Sequence, residues 1–156
     1  MPPPPPSRIV LLGHTGYIGS RLAAAFKAAA PDVPVVVRSA PGLDLTQAES
    51  ADALAALLAR DAVLVICAAI KKQLGDTPEI FSQNLAIAIN VCRAVAARPV
   101  RRLVFFSSAA VYGEDVQHGV ITESTPVQPT SLYGIGKFTA ERLLVRMAGQ
   151  RPGSRR

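Results

Sequence analysis

The sequence predicts an α/β fold: a doubly wound parallel sheet with helices on both faces. Three observations predict it. Short unbroken apolar runs recur at Arg8–Leu12, Pro34–Val37, Ala62–Cys67 and Arg102–Phe106, as expected of strands buried on both sides. Alanine- and leucine-rich stretches of helical length alternate with them, and that alternation argues for parallel strands joined by right-handed crossovers. The first apolar run leads straight into glycines at 13, 16 and 19 and then into a helix-forming segment.

Taken in order, strand one is Arg8–Leu12 and the first helix is about Tyr17–Ala29, where alanines dominate. Strand two is Pro34–Val37. Leu43–Leu45 is a marginal, very short third strand. A helix begins at Thr46 and runs through the alanines and leucines to Ala59. Ala62–Cys67 is a buried strand by its unbroken apolar character. The remaining elements are a helix over Pro78–Ala97, a strand over Arg102–Phe106 and a helix over Ser131–Ala148.

The opening turn carries chemistry. Strand, glycine-rich turn, helix is the context a dinucleotide-binding fingerprint requires. Glycines let the backbone turn tightly and approach a pyrophosphate. The helix start then offers unpaired N–H groups and the positive end of its dipole. The spacing here is Gly13-x-x-Gly16-x-x-Gly19 rather than the commoner Gly-x-Gly-x-x-Gly. A tight turn that binds nothing is the plainer reading, and the flanking strand and helix weigh against it.

Tyr133 and Lys137 stand four apart, so a helix places them on one face. A free phenol titrates near ~10, too high for proton transfer at neutral pH. A lysine ammonium on the same face is expected to favour the phenolate and bring that value toward the working pH. Taken alone, the pair reads more readily as an ordinary exposed helix pair, because a two-residue pattern recurs by chance.

Three motifs occur together and in order: Gly13-x-x-Gly16-x-x-Gly19, the run Ser107–Gly113, and Tyr133-x-x-x-Lys137. The segment Thr122–Pro126, followed by Pro129 and Tyr133, fits with them. In these the chain resembles the extended short-chain dehydrogenase/reductase family: the nucleotide-sugar epimerases, dehydratases and reductases. The resemblance covers nearly everything from Arg8 to about Gly149. It implies a Rossmann-like fold, a nicotinamide dinucleotide as cofactor and a nucleotide-sugar or related small molecule as substrate. It implies that Tyr133 is the general acid/base. It implies that Lys137 lowers the phenol's pKa and holds the nicotinamide ribose, and that Ser108 bonds the reacting oxygen. Ser108 also sits just past a strand's carboxyl end, where open α/β sheets bind ligands, although a serine there also serves to cap the next turn. The expected cofactor contacts are Gly13, Thr15, Gly16, Tyr17, Ile18, Gly19, Arg38, Asp44, Leu45, Ala68, Ala69, Tyr133 and Lys137. Family members often pair through the helices 78–97 and 131–148, so a homodimer is the implied assembly.

Cofactor choice is read at the end of strand two. An acid there would accept from the ribose hydroxyls of NAD, whereas an arginine accommodates the extra phosphate of NADP. The region holds Arg38 and Ser39 and no carboxylate, so NADP is expected in preference to NAD. Arg38 also reads as a solvated strand end. Asp44 resembles the family's acid near the adenine, and reads equally as the cap of the segment starting at Thr46. Ala68 and Ala69 would permit close cofactor approach, or are simple small-residue packing. Asn84 resembles an asparagine that braces the active-site strands. Lys71 and Lys72 either meet a substrate phosphate or are solvated loop lysines, and His14 has no evident partner.

Composition agrees with this class. The chain has 156 residues, a one-domain length, and is 49% hydrophobic with only 5% aromatics, so its core must be built from Val, Leu, Ile and Ala. Cys67 and Cys92 show no metal-ligand spacing and read as reduced, buried thiols, and no metal is expected. The net charge of +6 suits anionic nucleotides. Nucleic-acid binding is not expected, because no aromatics interleave with the arginines as a stacking platform would need. No apolar span points to a membrane. Met1–Pro6 lacks a basic start and an apolar stretch, so no signal peptide is expected and the location is expected to be cytoplasmic.

The expected organisation is a disordered proline-rich tail over 1–7, an incomplete dinucleotide-binding domain over 8–149 and a basic tail over 150–156. A full doubly wound sheet has about six strands, and here four are firm. The expectation is an amino-terminal portion of such an enzyme, truncated before the last strands and the substrate domain. The expected function is an NAD(P)-dependent nucleotide-sugar epimerase, dehydratase or reductase, an inactive fragment included. The alternative from another class is a dinucleotide-binding module or regulator without turnover.

Overall fold

A computed structural model describes residues 4–113 and 120–148; the expected basic tail over 150–156 lies outside them. Four strands form one parallel sheet in the order β2-β1-β3-β4. They are β1 (Ile9–Leu12), β2 (Val35–Arg38), β3 (Val63–Ile66) and β4 (Arg102–Phe105). β1 pairs with both β2 and β3, in the registers Ile9–Val35 and Ile9–Val63. The chain therefore leaves β1 in one direction and returns on its other side, which makes the carboxyl ends of β1 and β3 the reversal point where such sheets bind ligands.

The helices are α1 (Tyr17–Ala29), α2 (Ser50–Ala55), α3 (Pro78–Ala97) and α4 (Leu132–Ala148). They cover the two faces unequally. α2, α3 and α4 bury one face: Val10, Leu12, Leu64 and Ile66 of the sheet pack with Leu54, Ile87, Val91 and Leu144. On the other face Leu22, Ala23 and Phe26 of α1 pack on Ile9, Leu11 and Val65. Val10, Leu11, Leu12 and Leu64 are wholly buried, and each such side chain stabilises the fold by about 1.5–3 kcal/mol. That is how strands of four residues hold. Toward β4 the second face thins out, and Val104 is 37% exposed.

α1 and α3 have the bounds the sequence predicts. α3 starts where Thr77 Oγ1 accepts from Ile80 N, with Pro78 in the first turn, where its missing N–H costs nothing. By length and composition α3 could cross a membrane, with a mean hydropathy of 1.3. In this fold Ile87, Ala88, Val91 and Ala94 line the core instead.

Two expectations are corrected. Leu43–Leu45 is not a strand: Leu43 N bonds back to Ser39 O in a turn. The helix expected from Thr46 to Ala59 is only Ser50–Ala55. Asp44 takes the Thr46 backbone and hydroxyl, Ser50 Oγ donates to Gln47 O, and Asn90 of α3 donates to both Leu45 O and Gln47 O. These bonds offer the backbone an alternative to the helical ladder. At the start of the described chain, Arg101 Nη1 donates to Pro4 O at 2.6 Å and Ser7 Oγ donates to Asp61 at 2.6 Å.

Candidate functional site

Two clefts open beyond the carboxyl ends of the strands. The first, about 520 Å³, lies over the reversal point. Of the predicted cofactor residues, Gly13, Thr15, Gly16, Asp44, Leu45, Ala68 and Ala69 line it, together with Ser39, Cys67 and Lys71. Its floor depends on Gly13. With φ at +83°, Gly13 lies so close to β3 that a Cβ would stand 2.6 Å from Ala68 N. Gly19 instead seats the first turn of α1 against the Gly13 carbonyl, a packing role. Tyr17, 70% exposed, lies under the Arg21 guanidinium, and Ile18 is exposed too.

Arg38 folds back, donating from Nη1 to Val37 O at 2.8 Å, so Ser39 rather than Arg38 lines the cleft. Asp44 caps no helix, since none starts at Thr46; it closes a local turn in which Oδ1 accepts from Thr46 Oγ1 at 2.7 Å and Thr46 N at 3.0 Å. The Thr46 hydroxyl, then its amide, hold the Asp44 carboxyl below its ordinary range. These bonds leave Asp44 on the cleft wall.

The second cleft, about 510 Å³, is lined by Ser108, Tyr133, Ala109, Ala110 and Gly113 with Lys71, Lys72 and Gln73. It brings together Ser108 and Tyr133, 25 positions apart in sequence, and Lys71 lies on the wall of both clefts. Ser108 follows β4 and caps the 3-10 turn Ala109–Tyr112, its Oγ accepting from Ala110 N at 3.2 Å. α4 presses on that turn because position 134 has no side chain; a Cβ there would collide with the Ala110 carbonyl.

Lys137 is 5% exposed. Its Nζ donates to Phe106 O at 2.6 Å and stands 4.3 Å from the centre of the Phe105 ring. The expectation that it lowers the Tyr133 pKa does not hold in this geometry. Burial pushes the Tyr133 phenol up, and the nearby Ser108 hydroxyl pulls the other way. The ammonium is turned toward the Phe106 carbonyl and the Phe105 ring.

Burial lowers Lys137 from 10.5 to about 8, with Cys67 and Glu141 opposing. Between those values the unfolded chain binds more protons, so this group's contribution makes stability rise with pH from about 8 to 10.5. The fall corresponds to about 3 kcal/mol. Denaturant unfolding at pH 7.5 and pH 10 should show Lys137→Met losing up to that much of its relative stability across the window. Parallel behaviour of the variant and the natural chain would refute the assignment.

Sequence reasoning missed four residues that build the site. Asp76 and Ser131 hold the start of α4, Asn90 holds the loop behind Asp44, and Gly134 lets α4 approach Ser108. A serine before a helix is a readable cap signal; the other three act over long separations. Asn84, which the resemblance implies braces the active-site strands, holds instead the segment just after β3: it accepts from Ile70 N at 2.8 Å and donates to Ile70 O at 3.0 Å.

Comparison with known proteins decides the family. The chain matches the model of the NAD dependent epimerase/dehydratase family over residues 9–155. It belongs to that family. The chain is 29% identical, over 86% of its length, to a UDP-glucose 4-epimerase from Corynebacterium glutamicum, of which it covers 44%. It is 30% identical, over 90% of its length, to a dTDP-6-deoxy-L-talose 4-dehydrogenase (NAD(P)(+)) from Kitasatospora kifunensis, of which it covers 48%. Among solved structures it resembles a short-chain dehydrogenase/reductase superfamily protein from Agrobacterium tumefaciens with bound NAD: TM-score 0.72, 25% identity, 94% of this chain and 46% of that one. This epimerase/dehydratase family member thus spans about half the length of the relatives it matches.

The residues present fit a dinucleotide. The glycine turn is a cradle that a Cβ at Gly13 would close, and His14 Nδ1 is buried there without a hydrogen-bond partner among the described residues. The cleft's volume is within the ~300–1,000 Å³ of ligand pockets.

Proposed function

We propose that this chain binds a nicotinamide dinucleotide in the cleft over Gly13 and Ala68, NADP in preference to NAD. Tyr133 and Ser108 then serve proton exchange at an oxygen of a nucleotide-sugar, as in an epimerase, dehydratase or reductase. The observation carrying this reading is that Ser108 and Tyr133 share a cleft which meets the glycine-turn cleft at Lys71.

When bound, the dinucleotide supplies a hydride donor or acceptor. The rest belongs to the chain. Gly13, Gly16 and the amides opening α1 receive the diphosphate. Ser108 Oγ donates a hydrogen bond to the reacting oxygen. The Tyr133 phenol, pushed up by burial, keeps its proton at neutral pH, so in the reductase direction it gives that proton to a carbonyl oxygen; the epimerase and dehydratase directions start by taking a hydroxyl proton and need the phenolate. Ser39 and a re-extended Arg38 would meet a 2′-phosphate.

The test is a fluorescence titration of the chain with NADPH and NADH. NADPH should bind about tenfold more tightly, the worth of one charge-assisted bond of ~1.4 kcal/mol. Arg38→Ala should erase the difference. No emission change with either dinucleotide would overturn the reading, and equal affinities would overturn the preference.

A second reading, binding without turnover, draws support from Lys137, which is held against Phe106 O rather than acting on the phenol. Dinucleotide binding with no conversion of any nucleotide-sugar would favour it.

A further inference from the structure

The first turn of α4 carries Tyr133, and its free amides are all accounted for. A helix start leaves its first N–H groups without helical partners. Leu132 N donates to Asp76 Oδ2 at 3.2 Å and Tyr133 N to Asp76 Oδ1 at 2.8 Å. Gly134 N donates to Ser131 Oγ at 3.1 Å, and Ile135 N begins the helical ladder on Ser131 O. One carboxylate, brought from 57 positions upstream, thus grips the tyrosine's own amide and the one before it. Its charge also suits the positive end of the helix dipole.

Asp76 sits near the end of a braced segment between β3 and α3, which carries Ala68 and Ala69 on the wall of the glycine-turn cleft. Asn84 fixes Ile70 by two bonds, and Lys72–Leu74 forms a 3-10 turn. The strap therefore runs from the cleft to the amide of Tyr133. A frayed first turn would let the phenol swing away from Ser108, because Tyr133 is only the second residue of α4.

We propose that Asp76 is a positioning residue: by clamping the Leu132 and Tyr133 amides it sets where the Tyr133 phenol stands against Ser108. This rests on the reading of Tyr133 as the proton-exchanging group, but its test does not require turnover.

The test is a titration of the phenol in the intact chain, followed by the ultraviolet absorbance of tyrosinate. The chain has three tyrosines, and a Tyr133→Phe blank assigns the signal. Asp76→Ala should move the Tyr133 midpoint down toward the ordinary tyrosine range, since the phenol loses its burial. Asp76→Asn should shift the midpoint less than Asp76→Ala, because it keeps one oxygen for the Tyr133 amide but turns an NH2 group toward the Leu132 amide, so one of the two clamps survives. If both variants shift alike, only charge is at work and the proposal falls; if neither shifts, it falls as well. Leu58→Ala, a buried core change away from both clefts, controls for general loosening. A midpoint moved as far by Leu58→Ala as by Asp76→Ala would also overturn the proposal. Full turnover in Tyr133→Phe would instead remove the proton-exchange reading while leaving the positional result intact, so the two failures are distinguishable.

Discussion

Tyr133→Phe is expected to abolish nucleotide-sugar turnover while leaving dinucleotide affinity unchanged. The change deletes one oxygen and keeps the ring, so the half-buried packing of α4 on the Ala109–Tyr112 turn survives. Losing a positioned acid or base costs about 10²–10⁴-fold in rate. Affinity should hold, because Tyr133 lines the cleft with Ser108 rather than the one over Gly13. The sign of the pH dependence follows from burial. A phenol pushed above its ordinary value keeps its proton further into the alkaline range, so turnover that needs the acid form should persist above neutral pH and fall only as the phenol ionises. Initial rates against pH, with fluorescence titrations alongside, check both halves. A variant retaining most of the rate would end the acid/base assignment. A variant that loses affinity would show that the phenol belongs to the dinucleotide site.

The sequence revealed what depends on local pattern. α1 and α3 were legible to the residue because alanine runs, Thr77 and Pro78 mark them within a few positions. The strands were legible to within a residue or two at their ends, since a short unbroken apolar run suits little but a strand buried on both faces. What failed depended on distant partners. Thr46–Glu49 carries helix-compatible residues, but an asparagine more than forty positions away holds the segment in turns. Spacing put Lys137 one helical turn from Tyr133, and α4 carries both. Spacing cannot say that the ammonium will turn toward the Phe106 carbonyl, because that choice depends on where β4 ends. The role of Asp76 was illegible for the same reason: nothing near Tyr133 in sequence predicts a cap arriving from the other side of α3.

The glycine turn offers the other large effect, and two of its glycines should fail in different ways. Gly13→Ala is expected to destabilise the fold by about 2–5 kcal/mol and to eliminate dinucleotide binding. A φ of +83° disfavours any side chain, at ~1–3 kcal/mol, and the new methyl would press on Ala68 N and Cα and on the Cys67 carbonyl carbon, a forced overpacking of similar size. Those atoms immediately follow β3, so relief comes by parting the ends of β1 and β3 at the floor of the cleft. Gly16 differs. A methyl there meets nothing nearer than Gly13 O at 3.5 Å, ordinary contact, and its φ of −76° suits any residue. Gly16→Ala should therefore fold with nearly unchanged stability, yet bind NADPH at least about tenfold more weakly, because its methyl occupies the wall where the diphosphate would approach. Calorimetric melting separates the two variants, and fluorescence titration measures what each has lost. If Gly16→Ala binds as the natural chain does, the diphosphate does not rest on this turn, and the assignment of the first cleft fails whatever becomes of Gly13→Ala.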